Sequence, residues 1–208
     1  MSHSVICISS QDGAGAHETA QAVSTTLGLR ILDEDIITTA AREAGVDEHT
    51  MADVERRKSR LQSIIEGIGV AGGGVYTAPG AEYIGTTEPA SEGLRSLIST
   101  VIEETAAQGS VLIVSHAASI ALGAREDVLR VLLTAPVATR TARLAAMLGA
   151  DEREAAKVLK RSDDARGDYI KRFYGVGDEL PTHYDLVINT EKLSPDQAAG
   201  LIVSAAAA

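Results

Sequence analysis

Apolar and polar positions divide the chain into segments of two periods. Residues 4–10, "SVICISS", form a near-continuous β-branched run, the pattern of a parallel strand covered on both faces. Similar runs predict strands in "LRILDED" (ending at Asp33), "SVLIVSH" (110–116), "DVLRVLLTA" (127–135) and "YDLVINT" (184–190). Helical spacing fills the intervals. A helix over 16–27 stops at Gly28, one over 34–45 stops at Gly45, and one or two charged helices follow over 46–70. Residues 71–89, "AGGGVYTAPGAEYIGTTEP", break the pattern with the Gly and Thr content of a loop or small hairpin. Further helices are predicted over 90–109, over 135–149 with Pro136 near N1, and over 151–175. In the last helix Ser194 is the N-cap, Pro195 sits at N1 and Gln197 completes a capping box.

The βα alternation predicts one α/β domain over 1–208, with parallel strands, right-handed crossovers and helices on both faces. Ligands in such sheets bind at the carboxyl ends of strands. Three notable spots fall there: a glycine loop after the first strand, Asp33 after the second, and "SHAAS" after the third.

Composition narrows the classes. A chain of 208 residues with 45% apolar content has room for a substantial core, and 3% aromatics makes that core mostly Ala, Val, Ile and Leu. The net charge of −10 argues against binding a nucleic-acid polymer, although a few local arginines suffice for a nucleotide. The one cysteine, Cys7, lies inside the first strand and reads as inert packing. No apolar run approaches the length of a membrane span and no basic-then-apolar leader opens the chain, so a cytoplasmic location is expected and no membrane partner.

The candidate chemistry begins at "SSQDGAGAHET", residues 9–19. Strand, glycine turn, then helix is the construction of a phosphate-binding loop. Its backbone N–H groups, from Gly13, Ala14, Gly15, Ala16, His17 and Glu18, would hold the anion, and the helix dipole would favour it. Asp12 and Glu18 oppose an anion unless Mg²⁺ intervenes. By itself, the segment reads first as an ordinary strand-to-helix turn with glycines. His116 reads either as a polar strand end or as a ligand contact. No His, Cys or Asp spacing suggests a structural metal, and none is assigned. The run "KRSDDARGDYIKR" reads, for about half its residues, as a solvated helix face with i,i+4 pairs.

Taken in order, "ISSQDGAGAHETAQAVSTTLGLRILDEDII", "VLIVSHAASIAL", "VLRVLLTAPVATRTARL", "KRSDDARGDYIKRFYG" and "YDLVINTEKLSPDQA" resemble the cytidylate-kinase-like proteins, a branch of the P-loop nucleoside monophosphate kinases. The resemblance spans nearly the whole chain. It implies a three-layer α/β/α P-loop kinase-like sandwich with a five-stranded parallel sheet. It also implies a nucleotide-binding insert at about 46–90 and a lid at about 158–180. Against the pattern G-x-x-x-x-G-K-[ST], Gly15 fits, but Ser10 replaces the first glycine, Ala16 the lysine and His17 the hydroxyl. Strand three ends in Ser115 and His116 where the family commonly has Gly-Arg.

Carried over residue by residue, the resemblance implies acceptor contacts at Asp33 and His116 and donor-nucleotide contacts at Arg140 and Arg143. Asp163, Arg166 and Tyr169 match the lid pattern D-x-x-R-x-x-Y. Arg161 and Arg166 are the implied catalytic cations, replacing the missing lysine over the transferring phosphates. The expected protein is therefore a phosphotransferase that uses ATP and Mg²⁺ and acts on a nucleotide or other small acceptor. The alternatives are a nucleotide- or anion-binding protein of the same fold with lost or minimal catalysis, and a structural protein whose apolar faces make a homodimer.

Overall fold

The computed structural model describes residues 3–33, 92–115 and 118–208. The expected helices over 34–70, the segment 71–89, the insert at about 46–90 and His116 lie outside the described residues. Five strands form one sheet: β1 (Val5–Ser10), β2 (Arg30–Asp33), β3 (Val111–Val114), β4 (Val128–Thr134) and β5 (Leu186–Asn189). Their order is β2-β3-β1-β4-β5, and every pairing is parallel. This is the expected α/β sheet.

β1 is central, so its side chains are buried on both faces. Val5 and Cys7 join one core, and Ile6 and Ile8 join the other, as the two-residue period of a strand requires. Helices α2 (Glu92–Gln108) and α3 (Ala118–Leu122) cover the first face through Val101, Ile102, Ala118 and Leu122. Helices α1 (Ala16–Leu27) and α6 (Pro195–Ala207) cover the second through Ala20, Val23, Ala198 and Ile202. Burial pushes the Cys7 thiol up to about 12, so it packs as a small hydrophobe and does not react as a thiolate.

Helices α4 (Val137–Leu148) and α5 (Glu152–Tyr174) pack on each other through Leu144, Ala145, Ala155 and Leu159. The Asp151 side chain caps α5 by accepting from the Glu154 N–H. Pro136 is the N-cap of α4 with extended ψ of 144°, one position earlier than expected. The capping box of α6 is present, with Ser194 accepting from the Gln197 N–H and Gln197 accepting from the Ser194 N–H. Helix α3 was not expected, since five residues are too few to show helical spacing.

The strand order sets where a ligand crevice opens. The chain goes from β1 to one side of the sheet for β2 and β3, then to the other side for β4 and β5. The switch therefore falls at the carboxyl end of β1, where residues 11–15 lead into α1.

Candidate functional site

Residues Gln11 to Gly15 form a compact loop. The Gln11 N–H donates to the Leu133 carbonyl at 3.2 Å and carries the β1 ladder one step past the strand. The Ala14 N–H then turns back to the Gln11 carbonyl at 3.0 Å. Gly13 and Gly15 hold φ of +76° and +82°, left-handed values that only glycine adopts cheaply. At Gly13 a Cβ would also lie 2.7 Å from the Arg140 carbonyl oxygen and 2.9 Å from the Arg140 Cα. Glycine is thus required there twice over, by φ and by the close approach of α4.

The loop carbonyls are held from one side. Arg140 Nη1 donates to the Asp12 carbonyl at 3.3 Å, Arg143 Nη1 to the Gly13 carbonyl at 3.2 Å, and the Thr190 hydroxyl to the Ala14 carbonyl at 2.9 Å. All peptide bonds are trans, so each N–H points opposite to the carbonyl of its own plane. The amides of Gly13 and Gly15 therefore face away from Arg140, Arg143 and Thr190. Among the described residues, no acceptor takes the N–H of Gly13, Gly15, Ala16 or Glu18. Successive amides in this conformation, continued by a helix N-terminus, form an anion-binding concavity. Ala14, expected to offer its N–H to the anion, does not: that N–H is taken by the Gln11 carbonyl, and its methyl is fully buried in the core. His17 is half-buried and Glu18 exposed on the first turn of α1.

Two buried arginines stand beside the loop. Arg140, 2% exposed, forks onto Asp163 with Nη1–Oδ1 at 2.9 Å and Nη2–Oδ2 at 2.8 Å, and its Nε donates to the Ala135 carbonyl at 3.1 Å. Arg166 forks onto Glu179 with Nη2–Oε1 at 2.5 Å and Nε–Oε2 at 3.0 Å. Its Nη1 donates to the Ser10 carbonyl at 3.1 Å, at the mouth of the loop. The Tyr184 hydroxyl donates to Glu179, and burial first, then this bond, raises its pKa well above the usual phenol range. Ser162 donates to Asp12 Oδ2 at 2.5 Å, which ties α5 to the loop. A cavity of about 90 Å³ opens between Gln11, Asp163, Arg166, Ile170, Val176 and Glu179.

The structure brings Gly13–Glu18, Arg140, Arg143, Asp163 and Arg166 together. Arg143 donates to Gly13 and Thr190, and Arg140 to Asp12, Ala135 and Asp163. Arg161 is exposed on α5, with its Nε on the Lys157 carbonyl at 3.3 Å. Asp33 ends β2, in register with Val114 of β3 and two strands from β1. That puts it about 10 Å across the sheet from the loop. Sequence reasoning did not single out Glu179, Tyr184, Ser162 or Thr190. Thr190 had a signal, as the polar end of "YDLVINT"; Glu179, in an irregular connection, had none.

The fold and this loop define a P-loop kinase-like protein. Residues 5–192 match the cytidylate kinase-like family, and the chain belongs to that family. No curated protein sequence matches it. Among solved structures it is similar to an uncharacterized protein from Eubacterium ventriosum, at 16% identity with 98% of each chain covered and a TM-score of 0.69. It is also similar to the shikimate kinase from Bacteroides thetaiotaomicron, at 13% identity with 98% of each chain covered and a TM-score of 0.52. At these identities the likeness is one of fold. No described helix is long and apolar enough to cross a membrane.

Proposed function

We propose that this protein is a cytidylate kinase-like phosphotransferase that moves the γ-phosphate of ATP to a nucleotide or other small acceptor in the cytoplasm. The observation that carries the reading is the loop itself. Four amides donate to no described residue, while the three preceding carbonyls are tethered behind them. That arrangement suits a polyphosphate without a loop lysine, since fixed amide dipoles need no reorganisation when the anion arrives. Arg166 supplies the side-chain charge. Its planar fork matches phosphate oxygens as well as it matches the Glu179 carboxylate, so phosphate and Glu179 are alternative partners for it.

The residues fit the triphosphate better than they fit a metal cage. Among the described residues no three His, Cys, Asp or Glu side chains converge on one point. His17 stands where the loop hydroxyl belongs, and Asp12 is engaged by Ser162. Mg²⁺ commonly binds through substrate phosphates and water with one or two carboxylates, and it would arrive here with the nucleotide, where it neutralises phosphate charge.

A second reading, nucleotide binding with little or no turnover, is favoured by one specific observation: both buried arginines already hold carboxylates. Calorimetry with ATP, with and without Mg²⁺, and steady-state transfer to CMP, dCMP and other hydroxyl acceptors separate the two. ATP binding with transfer supports the kinase, and binding without transfer to any acceptor supports the second reading. Failure to bind ATP or polyphosphate removes both.

A further inference from the structure

The family resemblance casts Arg143 as a donor-nucleotide ligand, but its guanidinium faces the back of the loop. Nη1 donates to the Gly13 carbonyl at 3.2 Å and to the Thr190 hydroxyl at 3.1 Å, and Nη2 donates to the Thr190 carbonyl at 2.7 Å. Thr190 follows β5 and is 4% exposed. Its N–H donates to the Thr134 carbonyl at 2.8 Å, which fixes it against the end of β4, and its hydroxyl donates to the Ala14 carbonyl at 2.9 Å. Two adjacent peptide planes of the loop are thus held by two side chains that also hold each other.

Each bond has a consequence on the opposite side of its plane. With the Gly13 carbonyl on Arg143, the Ala14 N–H closes the turn onto the Gln11 carbonyl. With the Ala14 carbonyl on Thr190, the Gly15 N–H turns away from the protein interior, in line with the amides of α1. A glycine-flanked peptide has other orientations open to it, and a flip of the Ala14–Gly15 plane would turn a carbonyl oxygen where the Gly15 N–H now points.

We propose that Arg143 and Thr190 are positioning residues: Arg143 fixes the Gly13–Ala14 turn, Thr190 holds the next peptide plane with the Gly15 N–H toward the phosphates, and neither contacts the nucleotide. Their bracket supplies as fixed geometry part of what a loop lysine supplies as charge. The inference rests on the phosphate-site reading above, and it assigns Arg143 a different role within that site.

Calorimetric Kd values for ATP and for inorganic tripolyphosphate test it, measured well below the Tm of each protein. Thr190→Val keeps the shape and removes the donor. It is expected to weaken both ligands about tenfold, the scale of one or two hydrogen bonds. Thr190→Ser restores the donor and should bind within about threefold of the parent, since its hydroxyl makes the same bond. Arg143→Lys keeps the charge but loses the fork, and should also weaken both ligands about tenfold. Parent-like affinity in a folded Thr190→Val, whatever its Tm, overturns the inference. Should that variant not fold, parent-like affinity in Arg143→Lys overturns it instead. A loss confined to ATP, with tripolyphosphate unaffected, also overturns it, because the contact would then be to the nucleoside. Absence of binding by the parent removes the phosphate-site reading and this inference together, whereas unchanged variants beside a binding parent remove this inference alone.

Discussion

Arg166 and Glu179 lie fork to fork beside the glycine loop, with one contact of 2.5 Å and a second of 3.0 Å. Arg166 is 7% exposed, so removing Glu179 leaves a buried cation without its carboxylate. Breaking a buried pair from one side costs about 3–5 kcal/mol. Glu179→Ala is therefore expected to lose stability on that scale in urea unfolding at neutral pH. Arg166→Ala is expected to abolish phosphoryl transfer, while ATP binding, carried by the amides, falls less. Full activity in Arg166→Ala would end the case for Arg166 as the compensating cation.

Gly13 and Gly15 share a left-handed backbone but not the same surroundings. At Gly15 a Cβ meets nothing within 4 Å, so Gly15→Ala should cost only the backbone term, about 1–2 kcal/mol. At Gly13 the Cβ meets the Arg140 backbone below 3.0 Å, and backbone cannot swing aside as a side chain can. Gly13→Ala should therefore cost at least about 2 kcal/mol more, the scale of overpacking a well-packed site. Equal losses in denaturant titrations of the two variants would contradict this account of the loop.

Ala16 opens α1 at the position of the P-loop lysine. A charge-assisted hydrogen bond is worth about 1.5–3 kcal/mol, or roughly one to two decades of rate when it acts only in the transition state. Ala16→Lys is accordingly expected to leave kcat/KM unchanged or to raise it by up to that amount. A fall in kcat/KM at unchanged Tm would show that the loop has no room for the ammonium.

Hydrogen bonding to Arg130 holds the Asp185 carboxyl below the usual carboxylate range. A depressed folded pKa gives stability that is complete above the ordinary aspartate value, about 3.9, and is lost as pH falls through the folded value. Asp185 is 38% exposed, so solvent screening limits the contribution to under about 1 kcal/mol. Unfolding free energies from pH 2 to 6 should show this acid loss in the parent and a shallower one in Asp185→Asn.

Thr105 is fully buried on α2, and its hydroxyl has no partner among the described residues. Thr105→Val keeps the volume and removes the unpaired group, whose burial costs about 1–3 kcal/mol. The variant is expected to raise Tm, and a drop would reveal a partner for the hydroxyl.

Local chemistry was the most legible part of this chain. The capping box at Ser194 and Gln197, and the left-handed glycines 28, 149 and 175 that close α1, α4 and α5, depend on neighbours within four residues. The glycine turn after β1 and the burial of Cys7 were legible for the same reason. The parallel sheet followed from the βα alternation. What the sequence could not show is how distant side chains divide their donors. The resemblance puts Arg143 at a nucleotide-contacting position, yet its two terminal nitrogens donate to partners 47 and 130 residues away. Glu179 looks like any loop carboxylate until α5 is laid against β1. The five-residue α3 escaped because one turn carries no period.

The bond between Thr190 and Ala14 joins residues 176 apart. Closing so long a span carries an entropic cost that local contacts do not, and pairings of this separation form late in folding. Synthesis runs from the N-terminus, so the glycine turn leaves the ribosome long before the threonine that steadies it. A nascent chain halted ahead of β5 has β1 and α1 but nothing to hold the Ala14 carbonyl. The opening motif of this protein is thus finished by the residue that follows β5, and its peptide planes are steadied only after the fifth strand has been made.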